Sequence, residues 1–202
     1  MEAVDAAALV DDAAVSGALI RGSASFGSAD AVEVAESRFA NVRLSGMAFE
    51  RLRLTDVVLD DCDLSGAALA EAALWRVELR GCRLTGADLS GARLRDVRFA
   101  DCKLDDVNLR MVAGERVAFD DCVMVAADLY AAKLRGTTFF DCDLTGAQFG
   151  KGEFRDARFH GSTLADARGA DSLRGAVIDP SQVIALALAT FAALGIAVDE
   201  ER

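Results

Sequence analysis

The sequence predicts an all-β solenoid: a four-sided β-helix of about eight coils, closed at its C-terminal end by an α-helix. Two periods predict this fold. Large apolar residues recur every five positions, and cysteines recur every 20 positions. Residues five apart lie about 140° apart around an α-helix and on alternating faces of a strand, so neither element alone explains the shorter period. A coil with four five-residue sides explains both periods. The cysteines are Cys62, Cys82, Cys102, Cys122 and Cys142.

The five-residue period is almost unbroken from Phe39 to Leu164. Of the 26 positions that it covers, only Gly114 is not Leu, Phe or Met. A second, smaller apolar residue lies two positions before each large one, as Cys62 does before Leu64. Alternate residues of an extended segment face the same way, so both should point inward and fill the interior. We expect the large residues to stack in columns, with successive coils about 4.8 Å apart and no interior ligand pocket.

Gly114 interrupts one column of large residues, between Leu94 and Leu134. We expect a local bend or dent at this position. Met111 or Met124 should partly fill it, because methionine adapts to irregular gaps. A binding notch is the second interpretation of the same glycine.

The chain is predicted to contain three segments. Residues 1–15 have the composition of a short helix that ends at Ser16-Gly17, which we interpret as an edge cap or a frayed terminus. A weaker turn of the repeat should begin at Leu19. The three segments are an N-terminal cap (residues 1–18), the β-helix (residues 19–178), and a capping and dimerisation helix with a tail (residues 179–202).

The C-terminal helix has a clear start signal. Asp179 is a suitable N-cap residue, the next residue is a proline, and Gln182 occupies the position required for a capping box. The helix should run from Pro180 to about Leu194 and end at Gly195. It is apolar nearly all round, so one face can cover the open end of the solenoid while another meets a second copy of the chain. The residues expected in this homodimer are Val183, Ile184, Leu188 and Phe191.

The sequence argues against an enzyme. It contains one histidine and has no glycine-rich phosphate loop. His160, Ser162 and Asp166 have the residue types of a catalytic triad, but a rigid coil directs Ser162 inward and His160 outward. The stacked cysteines suit packing better than disulfide or metal geometry, because no paired CxxC motif is present. We therefore predict no catalytic, cofactor-binding or metal-binding residues.

The location expected from the sequence is the cytoplasm. The N-terminal residues are acidic where a signal peptide needs positive charge, and an odd number of thiols does not suit a disulfide scaffold. The longest apolar run falls short of the roughly 20 residues needed to cross a membrane. We expect reduced thiols and no membrane partner.

Charge is distributed unevenly over the predicted rod. The formal net charge is −11, but the regular repeat, residues 39–178, carries only −3. Two adjacent sides, here called the acidic half, hold thirteen aspartates and five cations, which gives −8. The two opposite sides, the basic half, hold thirteen cations and eight acids, which gives +5. A carboxylate-rich rod presents a field like that of a phosphate backbone. Such a field repels nucleic acid, so we expect no nucleic-acid partner.

The repeat resembles that of the pentapeptide-repeat family. Ala87-Asp88-Leu89-Ser90-Gly91 and Ala127-Asp128-Leu129-Tyr130-Ala131 match its pattern of a small residue, often Asp or Asn, a Leu or Phe, and two further residues. The resemblance covers roughly residues 19–178 and implies a right-handed quadrilateral β-helix. It also implies a class of function, since the family includes quinolone-resistance proteins that mimic duplex DNA and bind DNA gyrase or topoisomerase IV. The uninterrupted coils and C-terminal helix are similar to the mycobacterial type of these proteins, and the long loops of the Qnr type are missing.

Two functional hypotheses follow. The first is a non-enzymatic DNA mimic that binds a type II topoisomerase, namely gyrase, through the acidic half and competes with DNA, with possible resistance to quinolones or other topoisomerase poisons. The alternative is a scaffold module for an unrelated protein partner, joined through the C-terminal helix or the basic half. The residues expected to form the DNA-mimic stripe are Asp60, Asp61, Asp101, Asp120, Asp121, Asp141 and Asp143.

Overall fold

The computed structural model describes residues 1–196 and confirms a parallel β-solenoid with a short C-terminal helix. The solenoid has about 20 residues per coil, as the cysteine spacing predicts. The predicted tail, 197–202, lies outside the described residues.

The strands stack in parallel, each paired with the equivalent strand of the neighbouring coil. One continuous path runs in the order β1, β3, β6, β8, β9, β10, β11 and β12. The strands are β1 (Glu2–Asp5), β2 (Ala14–Ser16), β3 (Ala18–Arg21), β4 (Ser28–Asp30), β5 (Glu33–Ala35), β6 (Arg38–Ala40), β7 (Ala48–Glu50), β8 (Arg53–Asp60), β9 (Ala73–Arg80), β10 (Arg93–Ala100), β11 (Ala113–Asp120) and β12 (Thr138–Phe140).

The two halves of the rod differ in backbone structure. In the central coils, the basic half consists of the eight-residue strands β8 to β11, which continue across a corner of the square. The acidic half is held by single-residue bridges, such as Asp63 to Arg83 and Asp88 to Asn108. Both patterns place a residue beside the residue 20 positions later, on the next coil, so columns of equivalent residues run along the rod.

The interior is filled, as predicted. Phe99, Phe119, Phe139 and Phe159 form one continuous stack, with ring centroids 4.7 Å, 5.1 Å and 4.7 Å apart. These distances match the spacing between coils, so the ring stack and the backbone ladder reinforce each other. A void of only about 20 Å³ lies inside the first coils, next to Phe39.

The N-terminal segment differs from the expected helix. Residues 2–5 form β1, which pairs with β3, and only Ala6–Ala8 form a single 3-10 turn. Pairing with β3 provides hydrogen-bond partners for the backbone of these residues, whereas a helix of this length would be only marginally stable on its own. The repeat register also differs by one residue, because Ile20, not Leu19, lies next to Phe39 and is fully buried. The prediction of a helix over residues 1–15 was therefore wrong.

The dent expected at Gly114 is filled by different residues from those predicted. Met111 is 59% exposed, and Met124 is buried within another column. A β-carbon at Gly114 would lie 2.5 Å from Leu134 Cδ2 and 2.8 Å from Val117 Cγ2. These two side chains therefore occupy the space, because both are closer to the gap than either methionine.

The C-terminal cap begins as predicted. The Asp179 carboxylate accepts hydrogen bonds from the backbone and side chain of Ser181, and the side chain of Gln182 accepts one from the backbone N–H of Asp179. A 3-10 turn (Pro180–Gln182) leads into α1 (Val183–Ala193), and Gly195 has a left-handed φ of 71°. Leu186 packs on the core, so α1 covers the end of the rod. Within residues 1–196, no helix has the length and apolar character needed to span a membrane.

Candidate partner-binding surface

Each five-residue side ends in a corner residue whose backbone is left-handed. Asp61, Asp101, Asp121 and Asp141 occupy equivalent corners of four coils, with φ between 50° and 54°. Aspartate tolerates this conformation better than most residues, which is one physical reason for its frequency there. The requirement is not strict, because Arg76 and other long side chains occupy other corners with the same backbone.

These four aspartates form a column on the acidic half, here called the acidic column. All four are exposed. Their backbone N–H groups donate to the next coil; that of Asp101, for example, donates to the carbonyl oxygen of Asp120 at 3.0 Å. Gly81 fills the one intervening corner, and Asp61 Oδ1 would lie 2.5 Å from a β-carbon there. The Asp61 carboxylate therefore leans over the backbone of Gly81, in the direction of the coil that carries Asp101.

The acidic column has no cationic partner within the described chain. None of its four carboxylates forms a salt bridge with another residue of the range 1–196. Like charges on neighbouring coils repel by about 1 kcal/mol or less at a solvated surface, a cost that the rigid backbone tolerates. The column is thus a fixed row of negative charge directed at solvent.

The other three residues of the predicted stripe are held by the protein itself. Asp60 lies 2.6 Å from Arg38 Nε, and Asp120 lies 2.6 Å from Arg98 Nε. Asp143 accepts hydrogen bonds from the backbone N–H and the hydroxyl of Thr145 at 3.0 Å and 2.6 Å. These contacts leave less of their charge for a partner than the acidic column offers.

Eight of the thirteen cations of the basic half form ion pairs, mostly with residues of neighbouring coils. Arg53 Nη1 lies 2.9 Å from Glu33 Oε1, and Arg95 Nε lies 3.5 Å from Glu115 Oε2. Arg116 bonds to Asp96 and holds the pKa of that carboxyl below its usual value. Equivalent pairs join Arg51 to Asp30, Arg76 to Asp56 and Arg135 to Glu153. The net charge of +5 already counts the acids of this half, so only pairs with carboxylates outside it, such as Glu33, offset that charge.

The cysteine column adds hydrogen bonds as well as packing. The five thiols are buried and free. From Cys82 onward, each Sγ lies 3.4 Å to 3.5 Å from a carbonyl oxygen 23 residues earlier, such as that of Leu59 for Cys82. The neighbouring thiols, together with burial, raise the pKa of Cys82 and Cys122 far above the usual range. Protonated thiols of this kind are poor nucleophiles and poor metal ligands.

Ser162 continues the same column and is not placed for catalysis. Its hydroxyl donates to the carbonyl oxygen of Phe139 at 3.0 Å and accepts from the N–H of Cys142 at 3.0 Å. The side chain is buried, whereas His160, two residues earlier, is partly exposed. The opposite directions expected for these two side chains are confirmed.

Sequence reasoning missed three exposed aromatic side chains, of which Phe26, at a left-handed corner near the N-terminus, is 85% exposed. Phe140 is 52% exposed and directly precedes Asp141 at the acidic column. Trp75 is 46% exposed on the basic half, with the guanidinium carbons of Arg76 and Arg95 4.6 Å and 5.4 Å from its ring centre. Phe140 and Trp75 both lie at outward positions of the repeat, where a large apolar residue breaks the pattern, and that break was the available signal.

The four residues expected in a homodimer all lie on the outside of α1. Ile184 is 75% exposed, Val183 52%, Leu188 51% and Phe191 39%. Leu194 and Ile196 extend this apolar surface beyond the helix end.

Two models of pentapeptide-repeat sequences match the chain. One, described as a pentapeptide repeat region, matches residues 32–109, and the other, described as pentapeptide repeats (8 copies), matches residues 122–161. The chain belongs to the pentapeptide-repeat family. Pentapeptide-repeat folds are generally structural or interaction modules. A search of curated proteins found no match.

Three solved structures are similar to this chain at low sequence identity. A trypsin-treated form of QnrB1, a plasmid-mediated fluoroquinolone resistance protein, is 22% identical over 94% of this chain and 99% of that chain, with a TM-score of 0.45. HetL, involved in heterocyst differentiation regulation in the cyanobacterium Nostoc, is 22% identical over 83% and 84%, with a TM-score of 0.40. A thylakoid-lumen protein from Arabidopsis thaliana is 18% identical over 63% and 72%, with a TM-score of 0.28.

Proposed function

We propose that the protein is a non-enzymatic, rod-shaped DNA mimic that binds a type II topoisomerase, DNA gyrase in the first instance, and competes with DNA. The observation that carries this proposal is the acidic column. Its four exposed carboxylates repeat along a rigid backbone, and no cation of residues 1–196 forms a salt bridge with them.

The electrostatics favour a basic, groove-shaped partner. A DNA-binding groove is lined with Lys and Arg that normally neutralise phosphates. A row of carboxylates held by corner backbones meets such a groove without reorganising, so little conformational entropy is lost on binding. Asp30 and Glu33, which the charge count of the basic half leaves out, pair with two of its arginines, so the basic half opposes this approach less than its sequence charge suggests. Protection against quinolones or other topoisomerase poisons would follow from the same competition.

A gyrase supercoiling assay at physiological salt tests the proposal. The wild-type protein should inhibit supercoiling, and the inhibition should weaken as salt rises, because screening acts on exposed charges. Replacing Asp61, Asp101, Asp121 and Asp141 with Asn should abolish the inhibition while keeping side chains that tolerate a left-handed backbone.

A matched control removes the same charge elsewhere on the acidic half. The control replaces Asp88, Asp105, Asp106 and Asp166 with Asn and should retain most of the inhibition. An inactive wild-type protein would remove the mimic proposal and favour a scaffold module with another protein partner. Equal loss in both variants would show that net charge, and not the column, is responsible.

We also propose that two copies associate through the outer face of α1. The support is the exposed apolar surface of Ile184 and Leu188 with their neighbours, which is unusual on a monomer. Light scattering should give the mass of a dimer at micromolar concentration, and I184K with L188K should give a monomer with unchanged β-sheet circular dichroism. A wild-type monomer under these conditions would contradict the dimer.

A further inference from the structure

An open concavity of about 510 Å³ lies on the basic half, over Ala113 and Gly114. It is separate from the acidic column, which lies on the opposite half of the rod. Its floor is formed by the small residues Ala113 and Gly114 and by the buried Leu94. Its polar walls are Arg93, Glu115, Lys133, Arg135 and Glu153.

The concavity arises where a short side chain, here called the missing rung, interrupts a column of long side chains. Arg93, Ala113 and Lys133 occupy the same position in three successive coils. Ala113 is too short to bridge its neighbours. The backbones of Arg93 and Lys133 are therefore about 10 Å apart, two coil spacings, with an unfilled space between them.

The cations of the concavity fall into two groups. Arg135 bonds to Glu153, while Glu115 is shared by Arg95 and Arg116. Both carboxylates of the walls are thus already paired with arginines. Arg93 and Lys133 are exposed and form no salt bridge with any residue of the range 1–196. The two cations on either side of the missing rung are the ones left without an anion.

We propose that this concavity binds a phosphate dianion, free or as a monoester, between Arg93 and Lys133. Charge-assisted hydrogen bonds of about 2.8 Å from each cation, plus the width of the anion, span most of the gap, and flexible side chains close the rest. Arginine supplies a planar fork suited to two phosphate oxygens, and lysine supplies a mobile point charge. The short floor of Ala113 and Gly114 leaves room for the anion.

Amide NMR titration tests this site with two probes, inorganic phosphate and O-phosphoserine, each compared with sodium chloride at matched ionic strength. Phosphate should shift the amide signals of Ala113 and Gly114 saturably, and chloride should not. Binding of both probes identifies a monoester site, and binding of inorganic phosphate alone identifies a free-ion site; either supports the proposal. Shifts that follow ionic strength alone in all three salts would overturn it.

Two kinds of variant sharpen the test. R93Q and K133Q should each weaken phosphate binding about tenfold or more, the usual effect of losing a hydrogen bond to a charged group. The control R158Q removes a basic-half cation that forms no salt bridge with another residue of the range 1–196 and should leave binding unchanged. A113E places a carboxylate in the missing rung, so it should abolish phosphate binding and raise Tm. Phosphate binding that survives A113E would also overturn the proposal.

Discussion

The side-chain amide of Gln182 donates a hydrogen bond to the carbonyl oxygen of Ser162 at 2.7 Å, across the junction between the solenoid and its cap. The same nitrogen donates to the carbonyl oxygen of Phe159. In earlier coils, the thiols from Cys82 onward and the hydroxyl of Ser162 donate to equivalent carbonyls 23 residues back. Gln182 therefore extends the interior hydrogen-bond ladder by one more rung and ties α1 to it.

We expect Q182M to destabilise the protein by about 1–3 kcal/mol, because it preserves volume but leaves buried carbonyls without a donor. Urea denaturation measures the loss, and hydrogen exchange should increase most in the last coil, residues 159–178. The control is Q148M, whose partly exposed side chain should cost no more than about 0.5 kcal/mol. Equal effects of the two substitutions would show that the Gln182 bonds contribute nothing specific.

Above about pH 8.5, the thiols of Cys82 and Cys122 should lower the stability of the protein. The pKa values of Cys82 and Cys122 are raised in the folded protein, so folding favours their protonated forms. Their contribution is complete below the unfolded value of about 8.5 and is lost as pH rises above it, at about 1.4 kcal/mol per pH unit for each thiol. Urea denaturation from pH 7 to 10 measures the slope. The double variant C82S with C122S should be flatter, and an identical slope would contradict this origin.

The phenylalanine stack should tolerate leucine far better than alanine. F119A removes a ring between two others and leaves a cavity, at an expected cost of about 3–5 kcal/mol. F119L should cost less, since Leu59 and Leu79 hold equivalent positions in the same column. Thermal and urea denaturation of the two variants provide the comparison. A loss as large for leucine as for alanine would mean that ring stacking, and not filled volume, dominates this column.

Gly114 and Leu134 should show strong energetic coupling. G114A places a methyl group 2.5 Å from Leu134 Cδ2, so we expect a loss of about 1–3 kcal/mol from overpacking. L134A should cost about 2–5 kcal/mol through a cavity. The double variant should cost less than the sum, because the new methyl group enters that cavity. Additive losses in a double-mutant cycle by urea denaturation would show that the two side chains do not share one space.

The features predicted correctly are those that depend on short, repeated spacing. The stack from Phe99 to Phe159 follows from the five-residue period, because every coil has the same length there. The cap at Asp179 and Gln182 follows from four consecutive residues. The left-handed corners were not predicted, although glycine recurs two positions after the large residue, as at Gly66 and Gly86.

The features that were missed or predicted wrongly depend on distant side chains or on changes in coil length. The register at Ile20 follows a 19-residue coil, which a strict 20-residue period cannot show. The ion pair of Asp60 requires Arg38, 22 residues earlier and on a different side of the square. The space at Gly114 is filled from another coil by Leu134 and from the same strand by Val117. Each outcome depends on which long side chains meet in space, and spacing alone does not determine that.

Side chains at the left-handed corners determine the surface that a partner meets, whereas the buried columns determine the fold. Corner side chains project into solvent, and the same backbone carries Asp101, Met111, Arg116 and Lys151. A corner can therefore exchange one charge for another at a cost of about 1–2 kcal/mol or less, without moving the buried columns. Partner specificity can diverge within such a lineage while the interior is conserved. For the same reason, the surface charge of the rod can change one coil at a time while the fold stays the same.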